Sequence, residues 1–370
     1  MRILILNWRD INNPEHGGAE ILTHEIAKRW VVWGHEVTQF SSFFAGGVKT
    51  ENLDGVHVIR RGSSMIRSFH VPVHVAAWYW YRLHSREFDV VIDEIHGIPF
   101  FSTLYVRQPV IALICEVAGD LWNITFSWPL NLIGAFIERN YFRYYQTTPF
   151  MTISKSSKNE LVQRGVRESR ITVLPMGVTV PPFAGQKRKE EVPTLIYVGR
   201  LTKAKGIEDA INVAGRLKNS LPNIKLWVVG SGDSDYMSTL TKKIKSQGLW
   251  PNIQLFGYIS EHKKYDLMAS AHILIAPSSK EGWGLTPIEA GCVGTPSVAY
   301  NVDGLRDSVL HNKTGLLTVP SVSSMEQGVR KLLGDQILYK KLMTGGQMRA
   351  KEYSWDNTAK VAIDVLTRVA

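Results

Sequence analysis

The feature that most restricts the fold is an alternation that runs, stops and starts again. Short β-rich apolar runs alternate with helical patterns through the first half: ILILN, then AEILTHEIAKRWVVW closed by Gly34, then HEVTQF, followed by VVI at 90–92, VIALI at 110–114 and FMTIS at 150–154. Strands buried on both faces read as continuous apolar runs, and parallel neighbours need a helix-length crossover. The alternation therefore specifies βαβ units on a parallel sheet. VLPMGVTVPPFAGQKRKEEVP at 173–193, with four prolines and a charge cluster, interrupts it as a linker. TLIYVG, KLWVVG, IQLFG, ILIAP and PSVAY then restart the pattern, and SWDNTAKVAIDVLTRVA ends it as an amphipathic helix capped by Ser354 or Asp356. Two similar α/β halves result, as expected for 370 residues, more than one core usually supports.

Charge narrows the ligand and leaves the fold alone. A net charge of +10 points to an anionic partner: nucleic acid, an acidic membrane surface or phosphorylated small molecules. The basic residues are spread through the α/β units without a recognised nucleic-acid module, so nucleic acid is not the expected partner. A dinucleotide oxidoreductase would need GxGxxG after a strand, which has no clear match here. Cys115 and Cys292 lie far apart, giving neither a disulfide framework nor a metal spacing and favouring a reducing, intracellular setting. MRILILNWRD is broken at Asn7 and reads as a first strand and not a signal peptide. LWNITFSWPLNLIGAF is too short and too broken to span a bilayer and leaves surface attachment open. Asp233 and Asp235 form a DxD, but nothing nearby completes a ligand set, so no metal is expected.

Ligands of open parallel sheets bind outside the carboxyl ends of the strands. The loops after TLIYVG, KLWVVG, IQLFG and ILIAP should therefore share one edge, which groups GRLTKAKG (199–206), GSGD (230–233), GYIS (257–260) and SSKEGWG (278–284). Arg200 and Lys205 at a strand mouth can hold a diphosphate as it gains charge; the plain alternative is a solvated basic turn. In KEGWGLTPIEAG (280–291), Thr286, Pro287 and Glu289 read as a capping box with proline at the first helical position. Glu289 is then expected on the Thr286 amide while the site is empty. Free amides of Gly284, Leu285 and Thr286 at that helix start would make an anion site, with Glu281 and Glu289 flanking a phosphate-sized hole. On the residues alone, the two glutamates remain either chemistry or helix punctuation.

The ordered set of GGAE (17–20), GRLTKAKG, VVGSGD, FGYIS, EGWGLTPIEAGCVGTPSVAY and TGLL resembles the retaining glycosyltransferases of family 4 over nearly the whole chain. The resemblance implies the GT-B fold: two Rossmann-like domains whose parallel sheets face an interdomain cleft. It implies an N-terminal acceptor domain over 1–176, with a helix at 353–370 crossing back to it, and a nucleotide-sugar donor domain over 177–352. Arg200 and Lys205 would bind the donor diphosphate, Glu281, the first glutamate of the E(x7)E motif, would contact the sugar hydroxyls, and Glu289, the second, would hold the ribose. Backbone around Gly284, Leu285 and Thr286 would meet the phosphates, Gly257, Tyr258 and Ile259 would border the base, and Gly230 would belong to the donor site. Gly17 and Gly18 would face the diphosphate from the opposite domain. Where the family commonly has a histidine at the end of a first-domain strand, this chain has Cys115, beside which Glu116 is a candidate for the same contact. Asp93, Glu94 and His96 follow the strand VVI and are the further acceptor candidates.

The reaction implied is transfer of a hexose-type sugar from a nucleoside diphosphate to a hydroxyl with retained configuration, and it requires no metal or other cofactor because fixed cations carry the charge. The alternatives are a GT-B nucleotide-sugar epimerase or hydrolase and, further off, a basic nucleic-acid-binding protein. Two basic and aromatic runs, 59–86 and 138–146, read either as helix faces or as a patch for anionic lipid head groups. The second reading suits a lipid-linked or polysaccharide-precursor acceptor and a cytoplasmic protein peripheral on the inner face of the membrane.

Overall fold

A computed structural model describes residues 1–63, 72–179 and 187–370, so 64–71 of the first basic and aromatic run and 180–186 of the expected linker lie outside the described residues. The chain divides into two compact units, Met1–Gly177 with Ser354–Ala370, and Val178–Tyr353.

The first unit runs β1 (Arg2–Leu6), α1 (Gly18–Val32), β2 (Glu36–Phe43), β3 (Thr50–Leu53), β4 (Val56–Ser63), α2 (Val73–His84), β5 (Val90–Glu94), β6 (Val110–Leu113), α3 (Leu121–Thr125), α4 (Leu130–Tyr141), β7 (Phe150–Thr152), α5 (Lys155–Gln163) and β8 (Ile171–Val173). Its sheet has the order β3-β4-β2-β1-β5-β6-β7-β8. Ile3 to Leu6 and Val90 to Ile92 are fully buried, as the unbroken apolar runs require of central strands. Strand order reverses at β1 and β5, which pair in parallel with Leu6 opposite Asp93, so the chain just past each emerges at one edge.

The antiparallel β3–β4 hairpin was not anticipated from the sequence. It turns on Asp54 and Gly55, both at positive φ, and the Asp-Gly pair between TENL and VHVI is the signal that marks it. The hairpin takes one arginine of the 59–86 run out of the surface, while Trp78, Tyr79, Arg82 and Leu83 of α2 stay exposed. Arg60 on β4 is buried: its guanidinium pairs with both oxygens of buried Asp10 at 2.7 Å and with Glu51 at 2.8 Å. On α2, Tyr81 is buried and Trp80 packs among Phe40, Phe88 and His84.

The second unit runs β9 (Thr194–Val198), α6 (Ile207–Lys218), β10 (Lys225–Val229), α7 (Ser234–Ser246), β11 (Ile253–Gly257), α8 (Glu261–Ser270), β12 (Ile273–Ala276), α9 (Leu285–Cys292), β13 (Ser297–Tyr300), α10 (Leu305–Ser308), β14 (Gly315–Thr318), α11 (Val322–Gly334) and α12 (Gln336–Ala350). All pairs in its sheet, ordered β11-β10-β9-β12-β13-β14, are parallel, so every carboxyl end lies on one edge. Helix α6 shows how the pattern works: Ile207, Ala210, Ile211, Ala214 and Leu217 recur at helical spacing and are buried. Gly291 and Gly346 let α9 and α12 touch; a Cβ on Gly346 would stand 3.1 Å from the Gly291 Cα. That contact anchors the helix whose start forms the site below.

The final helix, α13 (Trp355–Thr367), belongs to the first unit and is capped by Ser354, whose hydroxyl accepts the Asp356 N–H. Trp30 donates its indole N–H to the Ala359 carbonyl at 2.9 Å, tying α13 to α1.

Candidate active site

In the second unit, four loops meet at the carboxyl edge because glycines remove the side chains that would keep them apart. A Cβ on Gly206 would lie 2.1 Å from the Pro277 carbonyl oxygen, one on Gly230 would lie 1.9 Å from that of Gly199, and one on Gly304 would lie 2.1 Å from that of Glu281. Gly206 also needs its left-handed φ of 70° to turn from the 203–205 turn into α6. The Gly230 N–H donates to the Gly257 carbonyl at 2.9 Å, and the Ser279 N–H to that of Ala204 at 2.9 Å. GRLTKAKG, GSGD, GYIS and SSKEGWG are thereby one surface.

On that surface Lys205 pairs with Glu281 at 2.7 Å, and the Ser278 hydroxyl donates to the other Glu281 oxygen at 2.8 Å. The Arg200 side chain is exposed and has no ion-pair partner among the described residues. Tyr258 is exposed and Ile259 half-buried after the β11 end at Gly257.

Helix α9 begins earlier than the capping-box reading has it. Gly284, at φ 85° and ψ 72°, is the N-cap and its side-chain position is closed by Leu305 and Ser308, so Leu285, Thr286 and Pro287 are the first three helical residues. Proline is tolerated there because first-turn N–H groups have no intrahelical partner. Thr286 is not the cap, and Glu289 lies beyond the first turn, where it does not reach the Thr286 amide. Its carboxylate instead meets Lys264 of α8 at 3.0 Å. Lys264 also pairs with Glu261 at 2.7 Å and lies 4.9 Å over the Tyr265 ring. Burial alone would lower the Lys264 ammonium, but the charges of Glu289 and Glu261 outweigh it and hold the group above its ordinary value. Leu285 and Thr286 keep amides free of helical partners at the positive end of α9. Asp233 accepts from the Asp235 and Tyr236 amides as the N-cap of α7, and no metal-holding group of three or more His, Cys, Asp or Glu residues occurs among the described residues.

In the first unit, the carboxyl ends of β1 and β5 hold a second polar cluster. Glu94 is buried and accepts from Asn7 Nδ2 and Thr23 Oγ1, each at 2.6 Å, and its other oxygen meets His96 Nε2 at 3.0 Å. Burial pushes the Glu94 carboxyl up; burial would lower His96, but the Glu94 hydrogen bond and charge hold the imidazole above its ordinary value. Trp8 stacks on His96 with centroids 5.3 Å apart, and the Arg9 guanidinium stands 4.3 Å over Trp8. Trp8 Nε1 and Arg9 Nε are buried without a hydrogen-bond partner. Gly17 is the N-cap of α1, its N–H donating to the Glu20 carboxylate at 2.7 Å, and a Cβ on Gly18 would meet open space. Asp93 departs from the acceptor expectation: it is fully buried, and its oxygens accept from the Phe100 and Ser102 amides and the Ser102 and Tyr145 hydroxyls. It holds the 100–102 turn. Cys115 is buried, which pushes its thiol well up, and Glu116 follows it, half-buried. Asn7, Trp8 and Arg9 escaped sequence reasoning, although NWR directly after the first strand marks a carboxyl-edge position.

Residues 16–180 match the family model described as Glycosyltransferase Family 4, and residues 183–349 match the one described as Glycosyl transferases group 1. An uncharacterized glycosyltransferase of Methanocaldococcus jannaschii is 28% identical over 99% of this chain and 97% of its own length. Among solved structures, sucrose-phosphate synthase from Thermosynechococcus elongatus superposes with a TM-score of 0.82 at 16% identity, covering 99% of this chain and 98% of that one. Anabaena HepE in complex with UDP-glucose gives a TM-score of 0.78 at 18% identity, covering 100% of both chains. The fold these neighbours share with the chain is GT-B.

Proposed function

We propose that this chain, a glycosyltransferase of GT-B type, moves a hexose-type sugar from a nucleoside diphosphate to a hydroxyl acceptor with retained anomeric configuration, in the manner of family 4. The observation that carries the reading is the Lys205–Glu281 pair beside the free amides of α9. It sets a cation for phosphate oxygens within one ion pair of a carboxylate that can accept from sugar hydroxyls. Arg200 adds a second cation, and Glu289, the second glutamate of E(x7)E, is the ribose acceptor. Backbone around Gly284, Leu285 and Thr286 meets the phosphates, Gly257, Tyr258 and Ile259 border the base, and Gly230 belongs to the donor site. UDP-glucose, bound by HepE, is the first donor to try.

In the reaction the bond from the anomeric carbon to the phosphate oxygen breaks, and the departing diphosphate carries the electron pair away. Arg200, Lys205 and the α9 start stabilise that developing charge. The acceptor oxygen bonds the same face of the anomeric carbon, and its proton passes to an oxygen of the departing diphosphate. Fixed cations supply the charge stabilisation, so activity should survive exhaustive chelation.

The first unit, with α13, is the acceptor domain and the second the donor domain on this reading. Glu94 and His96 are the acceptor contacts, with Glu116 as an outlying one, and the open space over Gly18 and the unpartnered Trp8 Nε1 suit a hydroxyl ligand there. A lipid-linked or polysaccharide-precursor acceptor fits a cytoplasmic protein peripheral on the inner membrane face. The buried Glu94–His96 pair would also serve a GT-B epimerase or hydrolase. Proton NMR of the product separates these: a new glycoside with the donor's anomeric configuration supports the proposal, whereas an inverted glycoside, an epimerised donor or free sugar alone contradicts it.

Lys264 holds Glu289 in place, so Lys264→Met should raise the donor KM by about tenfold with kcat little changed, the size of one misplaced charge-assisted hydrogen bond. Lys264→Arg should recover most of it. Equal losses in kcat for both variants would show that Lys264 only supports the fold.

A further inference from the structure

The α3–α4 hairpin of the first unit carries apolar side chains that stand in solvent. Every residue from Asn123 to Leu130 is exposed, Ile124, Phe126 and Trp128 among them, with Trp128 at 79%. On α4 the exposed side chains continue with Leu132, Ile133 and Phe136, the last at 70%. The hairpin is nonetheless built. Gly134 lies so close to the Trp122 ring that a Cβ there would be 2.2 Å away, and the Trp122 and Phe126 centroids are 5.4 Å apart. Glu138 accepts the Ala118 and Gly119 amides at 2.7 and 2.8 Å. Gly134, Glu138 and Tyr141 therefore form the buried stripe of α4, and the opposite stripe is left outward. Contiguous exposed apolar surface of this kind marks an interaction site.

Charge selects the occupant. Between Leu121 and Thr147 the only acidic residue is Glu138, which is buried, whereas Arg139 and Arg143 are exposed. Positions 132, 136 and 139 recur at helical spacing on α4, so apolar side chains and Arg139 share one stripe, and Arg143 is exposed in the turn just past the helix. Two copies meeting face to face would bring these arginines against one another, which costs free energy. A bilayer with anionic head groups accepts both parts: Trp and Phe enter the boundary between head groups and chains, and arginines meet phosphates. We propose that the α3–α4 hairpin is the docking surface for an anionic lipid bilayer, with Trp128 and Phe136 inserted and Arg139 and Arg143 on the head groups. This deepens the peripheral-membrane part of the functional reading and places the contact on the α3–α4 hairpin.

The test is flotation of the full chain, without donor, with phosphatidylcholine vesicles that contain or lack phosphatidylglycerol. The wild type should float with the anionic vesicles at low salt and stay behind with the neutral ones. Trp128→Ser with Phe136→Ser should weaken binding at least about tenfold. Arg139→Glu with Arg143→Glu should weaken it roughly 30-fold or more, from the loss of two surface cations. Thermal unfolding of each variant confirms that the hairpin still folds. A wild type that does not float, or variants that float equally well, overturn the proposal. So does a wild-type dimer that Trp128→Ser with Phe136→Ser converts to a monomer with flotation unchanged, because a second copy is then the occupant. Donor binding is measured separately, so failure here leaves the donor site untouched.

Discussion

Lys205→Ala is expected to lower kcat by roughly 100- to 1,000-fold, the usual loss when one preorganised group at a departing oxyanion is removed. Two effects combine. The leaving diphosphate loses a cation, and Glu281, 2.7 Å away in the folded protein, is left as an unbalanced carboxylate beside the phosphate position. Stability should barely change, because an ion pair partly open to water contributes about 1 kcal/mol or less. That separation is diagnostic. Steady-state kinetics beside a melting curve should show a large catalytic loss with a small shift in Tm; a loss of less than tenfold would return GRLTKAKG to a solvated basic turn.

The largest effect on stability should come from Arg60→Met. Asp10 is fully buried, both its oxygens bond the Arg60 guanidinium at 2.7 Å, and the Phe44 ring lies 5.1 Å from that group. Removing only the cation leaves a buried carboxylate unpaired, which typically costs about 3–5 kcal/mol. Pairing the change with Asp10→Leu should recover much of it, since the uncompensated charge is then gone. Urea unfolding measures both. If the single variant unfolds like the wild type, Arg60 was not carrying a buried charge pair.

The fold was legible where one physical demand dominated the residues. Central strands such as ILIL and VVI had to be apolar on both faces, and α6 showed its stripe through Ile207, Ala210, Ile211 and Ala214. The parallel sheet then placed the four second-unit loops together. Details set by tertiary partners were not legible. Thr286, Pro287 and Glu289 fit a capping box locally, but Gly284 turned the chain first and Lys264, twenty-five residues earlier, took the glutamate. Arg60 looked like surface charge because Asp10 is fifty residues away. Asp93 stood beside Glu94 in the sequence, but strand alternation sends neighbours to opposite faces: one holds the 100–102 turn and the other meets His96.

The central claim is that the second unit binds a nucleoside-diphosphate sugar through Lys205, Glu281 and the start of α9. The most direct measurement is a thermal-shift panel of UDP-, GDP- and ADP-sugars with the parent diphosphates, on the wild type and on Lys205→Ala. A matching donor at about 100 times its dissociation constant should add roughly 2.7 kcal/mol and raise the wild-type Tm by several degrees. The variant should lose most of that shift at the same concentration. A panel in which nothing moves the wild type, or in which Lys205→Ala shifts as far as the wild type, would contradict the account.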